Sequence, residues 1–379
     1  MTSTLCFSFE LLHTSKKSKA RVGKIHTPHG VIDTPNFVAV GTNGTLKALD
    51  NVLVSEIGLQ LMFCNTYHLM LQPGTEVVRQ AGGLHNFINR QMPIITDSGG
   101  FQVFSLAYGS VADELKSRGT KKESGSVLKI TEEGVLFRSY RDGKKILLTP
   151  ESSIAAQKDL GADIIIPFDE LPPYHFAPEN LKRSLARTHR WEARSLEAHL
   201  KNPQNQAMYG VVHGGVDPEL RKESCNVLSS MEFDGFAIGG SMGKNRMEMH
   251  EMLSTAMPHL PPERPVHLLG IGDLESIQQS IPLGIDTFDS SYPTRAARHG
   301  LLLTQNGNLN VTKGEAATNF GPPCKECECL TCKRYSVAYL HHLFKAREVT
   351  ALTLASLHNL HFMVRLMERY RAAILNDLL

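Results

Sequence analysis

Three aspartates each close a short apolar run, and four of the chain's seven cysteines fall within nine positions. The runs are "PIITD" (93–97), "DIIIPFD" (163–169) and "IDTFD" (285–289), so the carboxylates are Asp97, Asp169 and Asp289. Any one of them can simply cap the loop or helix that follows it. Three at the ends of three strands favour a site. No His-x-His pair lies near the first strand, which argues against a metal-dependent hydrolase. Three carboxylates suit substitution at an anomeric carbon: one attacks the sugar, a second moves a proton and a third reads a base. The cysteines stand in "GPPCKECECLTCKRY" (321–335), and thiols this close together point to a metal. Cys324 and Cys327, then Cys329 and Cys332, each share a two-residue spacing, so a register that includes Cys324 stays open. His341 and His342, adjacent on an expected helix, read as packing or solvent-facing residues.

Strands must position those carboxylates. Short β-branched runs alternate with longer helical patterns, the mark of parallel βα units. Eight runs qualify: 37–40, 61–65, 93–97, 163–169, 207–214, 235–240, 266–272 and 285–289. Eight is the number that closes a (β/α)8 TIM barrel of the α/β class, where chemistry sits at the C-terminal strand ends. A doubly wound open sheet is the alternative, but no Gly-rich nucleotide loop follows the first strand. In the barrel, Asp97 ends strand three, Asp169 strand four, His213 strand five, Gly239 and Gly240 strand six, and Asp289 strand eight. Residues 181–200 have helical periodicity, and Thr149 and Gly161 are fitted to cap and stop another helix. Residues 121–148 alternate like an antiparallel β-hairpin insertion, with turns at "EEG" and "RDG". The expected division is a catalytic barrel over 1–295 and a metal-binding C-terminal helical subdomain over 296–379.

The 379 residues are 41% hydrophobic, ample for a large core. A net charge of +2 neither demands nor excludes a polyanionic partner. The start of the chain lacks a basic segment followed by an apolar run, so no signal peptide is expected. No stretch reaches membrane-span length. The other cysteines, Cys6, Cys64 and Cys225, are scattered, which fits a reduced, cytoplasmic protein.

Longer motifs carry a family likeness: "TDSGGFQVFSL" (96–106), "PFDE" (167–170), "DGFAIGG" (234–240), "FDSSYPTRAARHG" (288–300) and a Cys-x-Cys-x2-Cys…His pattern. With them the chain resembles the queuine tRNA-ribosyltransferases, the tRNA-guanine transglycosylases, from "VGKIHTPHG" (22–30) to the C-terminal helices. The resemblance implies a zinc-bearing (β/α)8 barrel, usually a homodimer. Such enzymes exchange guanine at the wobble position of tRNAs with a G-U-N anticodon for a free 7-deazaguanine base, without ATP or a redox cofactor. It implies that Asp289 is the nucleophile, Asp97 the general acid/base and Asp169 the carboxylate that accepts hydrogen bonds from the base. Phe101 matches the aromatic that stacks on the base. Ser98, Gly99, Gly100, His213, Gly239, Gly240 and Ser241 complete the expected pocket. Gly270, Ile271, Gly272, Asp273, Leu274, Glu275 and Ser276, with Thr294, Arg295, Ala296, Ala297 and Arg298, match RNA-contacting segments. Cys327, Cys329, Cys332 and His358 match a closed, structural zinc shell, which leaves Cys324 surplus. The eight Lys/Arg from Arg295 to Arg347 outnumber the acidic residues there, as phosphate contacts would want.

Two departures fall in the base pocket. "VVHGG" places His213 where the family usually has Gln, and the loop "GGSMGKN" (239–245) lacks the usual valine and is one residue shorter. Losing a β-branched wall opens room for a substituent on the base. Queuine, with its cyclopentenediol, is therefore expected over its precursor 7-aminomethyl-7-deazaguanine. A catalytically dead RNA-binding paralogue would be expected to lose Asp97 or Asp289, and both stand. The extra RNA-binding domains of the archaeal relatives are not expected in the stretch after "TRAAR".

Overall fold

The computed structural model describes residues 7–108, 127–174 and 176–379. Eight parallel strands close a barrel: β4 (Asn36–Val40), β5 (Met62–Cys64), β6 (Ile94–Thr96), β10 (Ile164–Ile165), β11 (Ala207–Val212), β12 (Gly235–Ile238), β13 (Val266–Leu268) and β14 (Thr287–Ser290). All eight runs picked out in the sequence supply a strand. Their residues are buried on both faces, inward among Val38, Phe63, Ile95 and Val211 and outward against the helices, which is why they read as continuous apolar runs. The helix Pro150–Leu160 begins at Thr149, whose side chain accepts from Ser152 N, and ends at left-handed Gly161.

An antiparallel sheet of β1 (Ser8–Thr14), β2 (Arg21–Thr27) and β3 (Gly30–Thr34) leads into β4. Two buried aspartates that precede barrel strands tie this end together. Asp286, before β14, accepts from Arg21 Nε (2.9 Å) and Val266 N (2.7 Å). Asp163, before β10, accepts from Ile94 N (2.8 Å) and meets His29 Nδ1 (2.7 Å) and His85 Nε2 (3.1 Å). Burial pushes the Asp163 carboxyl up, but the hydrogen bond with His29 and the His85 imidazole beside it outweigh that and hold it well below the usual carboxylate range.

The insertion is a three-stranded antiparallel sheet, β7 (Val127–Ile130), β8 (Val135–Arg138) and β9 (Lys145–Leu148). Its two turns fall at the "EEG" and "RDG" positions; residues 121–126 of the expected segment lie outside the described residues. The helix Pro178–Leu200 anchors one turn: Trp191 Nε1 donates to Glu132 O (2.9 Å), and Arg190 pairs with the Glu132 carboxylate (2.8 Å).

At the C-terminus the helix Val349–Leu375 lays Leu357, Leu360, Met363 and Met367 into the main core beside the barrel's outward-facing side chains. Fully buried Asn359 donates to Pro293 O and Leu301 O (2.9 Å each) and accepts from Leu303 N (2.9 Å). It thereby fixes the helix Tyr292–Arg298, which leaves the end of β14. No helix among the described residues is long and apolar enough to cross a membrane.

Candidate active site

Asp97 follows β6 directly and is buried. Four donors surround its carboxylate: Asn65 Nδ2 (2.6 Å), Thr66 N (2.8 Å), Gln102 Nε2 (2.9 Å) and Gly99 N (3.2 Å). Burial pushes its pKa up to about 6, while these donors restrain the rise. Both protonation states are then accessible near neutrality, as a group that gives and later takes a proton requires. Replacing Asn65 by Leu removes a donor to the charged form. A limb of a pH–rate profile set by Asp97 should move up by about one unit. A limb unmoved in Asn65→Leu would mean that Asp97 does not control it.

Asp289 lies within β14 and is buried. Gly270 N donates to its Oδ1 at 2.7 Å, and His267 Nε2 lies 3.1 Å from the same atom. Gly270 has φ +72, a left-handed conformation that costs glycine nothing, and this turn aims the N–H at the carboxylate. His267 is fully buried, and its Nδ1 lies 2.8 Å from Thr287 Oγ1. With Nε2 protonated, the hydroxyl donates to Nδ1 and the ring donates to Asp289. Among the described residues, the hydrogen bonds to Asp289 all fall on Oδ1. One oxygen is held and the other is left for attack on an electrophilic carbon.

Asp169 sits in the loop after β10. Ser98 Oγ donates to its Oδ1 (2.9 Å), and His213 Nε2 lies 2.8 Å from Oδ2. His213, at the end of β11, is thus committed through Nε2 to Asp169. Its Nδ1 and the hydroxyl of buried Ser241 have no hydrogen-bond partner among the described residues. Gly240 has φ +78, and a Cβ there would lie 2.9 Å from His213 Nδ1, so the loop after β12 approaches the ring as only glycine can. Arg221 holds that loop from below. It is fully buried and donates to Gly215 O (2.8 Å), Val212 O (2.7 Å), Gly239 O (2.9 Å) and Ser241 O (2.9 Å). One guanidinium thereby fixes the ends of β11 and β12 against each other.

The remaining expected residues spread around the same barrel end. Ser98 is buried and Gly99 has positive φ, Gly100 opens the helix Gly100–Tyr108, and Phe101 is 55% exposed at its start. Asp273 caps the helix Leu274–Ser280 by accepting from Ser276 N (3.1 Å). Ile271 and Leu274 are half-buried, Gly272 and Ser276 buried, and Glu275 exposed. Arg295 is exposed and Arg298 half-buried, whereas Thr294, Ala296 and Ala297 are buried.

Cys327, Cys329, Cys332 and His358 form a separate cluster. The three sulfurs lie 3.8, 3.5 and 3.2 Å from His358 Nδ1. A tetrahedral zinc with bonds of about 2.0–2.3 Å has ligand–ligand edges of about 3.5 Å, so the four atoms fit one. His358 Nε2 lies 2.9 Å from Leu303 O, which fixes the tautomer that points Nδ1 at the thiols. Cys324 is outside the group, and His361 Nδ1 lies 3.5 Å from Cys327 Sγ.

Sequence reasoning missed Asn65, Thr66, Gln102, His267 and Arg221. Gln102 stands in "TDSGGFQVFSL" and His267 is a lone polar residue in an apolar strand, so both carry a signal. Arg221 carried none: in "PELRKES" it looks like any surface arginine.

A family model described as queuine tRNA-ribosyltransferase matches residues 15–379. A queuine tRNA-ribosyltransferase of Protochlamydia amoebophila (strain UWE25) is 74% identical over 373 residues, 98% of this chain and 96% of the relative. One of Chlamydia felis (strain Fe/C-56) is 56% identical over 374 residues, 98% of this chain and all of the relative. One of Chlamydia trachomatis serovar D (strain ATCC VR-885 / DSM 19411 / UW-3/Cx) is 53% identical over the same length.

Proposed function

The chain belongs to the queuine tRNA-ribosyltransferase family, and from that premise we propose that it is a pentosyltransferase acting on tRNA. It exchanges guanine at the wobble position of G-U-N anticodons for a free 7-deazaguanine base, by double displacement. The observation that carries the reading is the grouping of three differently held carboxylates at the C-terminal ends of barrel strands. Asp289 attacks C1′ of the ribose, the C1′–N bond to guanine breaks, and a covalent aspartyl-ribosyl tRNA forms. Asp97 donates a proton to the departing guanine. The incoming base then attacks C1′, its proton returns to Asp97, and the bond to Asp289 breaks.

Asp169, held by Ser98 and His213, accepts from the ring N–H and exocyclic amine of the base. The unpartnered His213 Nδ1 and Ser241 hydroxyl support a polar ligand beside them, since buried polar groups are ordinarily satisfied. Phe101 offers the stacking face. The C-terminal thiols and His358 hold a structural zinc, which on binding clips residues 327–332 to the long helix. The working form in this reading is a homodimer.

Queuine is the preferred base. Met242 is buried in the main core and Gly243 stands at φ +89, so no β-branched side chain walls the loop. Labelled guanine entering a tRNA with a G-U-N anticodon tests the reaction, and absence of exchange would overturn it. Competition between queuine and 7-aminomethyl-7-deazaguanine tests the preference. A higher kcat/KM for the precursor would overturn that part alone.

A further inference from the structure

The three-stranded insertion carries an aromatic surface that base exchange itself does not use. Tyr140, in the turn after β8, is 58% exposed. Its ring lies on Tyr67, with centroids 6.0 Å apart and 27° between planes, and its hydroxyl is 3.3 Å from His68 Nδ1. Tyr67 is buried and in turn meets Phe137 of β8. The phenol is therefore supported from beneath by the helix Thr66–Leu71, whose first residue donates its N–H to Asp97. A ring fixed on one face and open on the other is a stacking platform with little entropy left to lose.

Cations surround it. Arg138, Arg141, Lys144 and Lys145 are exposed on the same turn and its flanking strands. The one carboxylate there, Asp142, pairs with Lys144 at 3.3 Å. Lys47 is exposed on the loop leaving the C-terminal end of β4, on the mouth side of the barrel. It stands near enough to His68 for its charge, after burial, to help hold that imidazole below its ordinary value. The basic, aromatic surface thus runs from the mouth to the insertion.

We propose that Tyr140 stacks a base of the single-stranded RNA loop that carries the exchanged nucleotide, with Lys47, Arg138, Arg141 and Lys145 taking its phosphates. Stacking tolerates any base, and cations spaced along a groove track the backbone, so the pair fits a looped-out single strand better than a duplex. The inference rests on the reading of the chain as a tRNA-modifying enzyme.

The test uses the full chain and varies tRNA and free base separately in the guanine-exchange assay. Tyr140→Leu keeps an apolar contact with Tyr67 but loses the π face. It should raise KM for tRNA about tenfold or more, leave KM for the free base within about twofold, and leave Tm near wild type. Tyr140→Phe should behave as wild type. An Arg141→Ala, Lys145→Ala double variant should flatten the salt dependence of tRNA affinity by roughly 0.7 per lost phosphate contact. Wild-type KM for tRNA in Tyr140→Leu, or an unchanged salt slope in the double variant, would overturn the proposal. Should the wild type exchange no guanine, direct titration of an anticodon stem-loop against wild type and Tyr140→Leu still decides the docking claim. The failure of the two readings is thereby kept apart.

Discussion

Asp289→Asn should lose base exchange by roughly a thousandfold or more, because an amide cannot carry the ribosyl group. The variant is suited to isolate chemistry from folding. Asn keeps the size of the side chain, and its oxygen can still accept from Gly270 N and His267 Nε2, the two groups that hold Oδ1. Melting temperature and tRNA affinity should stay close to wild type. On denaturing gels, wild type trapped with tRNA should show an RNA-linked band that Asp289→Asn lacks. A band of wild-type yield in the variant would move the nucleophile elsewhere, and Asp97 and Asp169 would then be the carboxylates to test. The geometry argues against both. Asp97 is closed in by four donors on its two oxygens. Asp169 has one oxygen committed to Ser98 and the other to His213.

Removing a zinc ligand should have the largest effect on stability. Cys329→Ser and His358→Ala should each lose the metal and a large part of the roughly 5–15 kcal/mol that holds a domain folded, since structural zinc supplies folding energy directly. His358 lies in the buried first half of the helix Val349–Leu375, between Leu357 and Asn359. Loosening that helix frees Asn359, which fixes the helix leaving the Asp289 strand. Activity should therefore fall with the metal although no ligand touches substrate. Cys324→Ala should keep one zinc per chain and a wild-type melting curve, because Cys324 lies outside the cluster. Full zinc by metal analysis in both Cys329→Ser and His358→Ala would show the ligand set to be wrong.

The sequence by itself favoured the barrel over an open sheet, because its eight strands are buried on both faces and read as eight separate apolar runs. Period and punctuation also mark the two turns of the insertion and the helix that runs from the Thr149 cap to the Gly161 stop. It also picked out the cluster of three thiols and an imidazole that could hold a metal, once a family likeness set the register, since three of the four are local. Position in the run separated the aspartates that end a strand from those that precede one, but not what each would be paired with. "DIIIPFD" carries Asp163 at its start and Asp169 at its end, and "IDTFD" holds both Asp286 and Asp289. Only the closed barrel ties Asp163 to His29 and His85, and Asp286 to Arg21, at the base, and sets Ser98 beside Asp169 and Gly270 beside Asp289 at the mouth. Likewise, the sequence places His213 in the expected pocket, but only the fold brings its Nε2 to Asp169 across 44 positions of chain. Arg221 reads as a surface residue because periodicity reports burial, not partners. Its four carbonyl acceptors come from the ends of two strands and the loops after them, which meet only when the barrel closes.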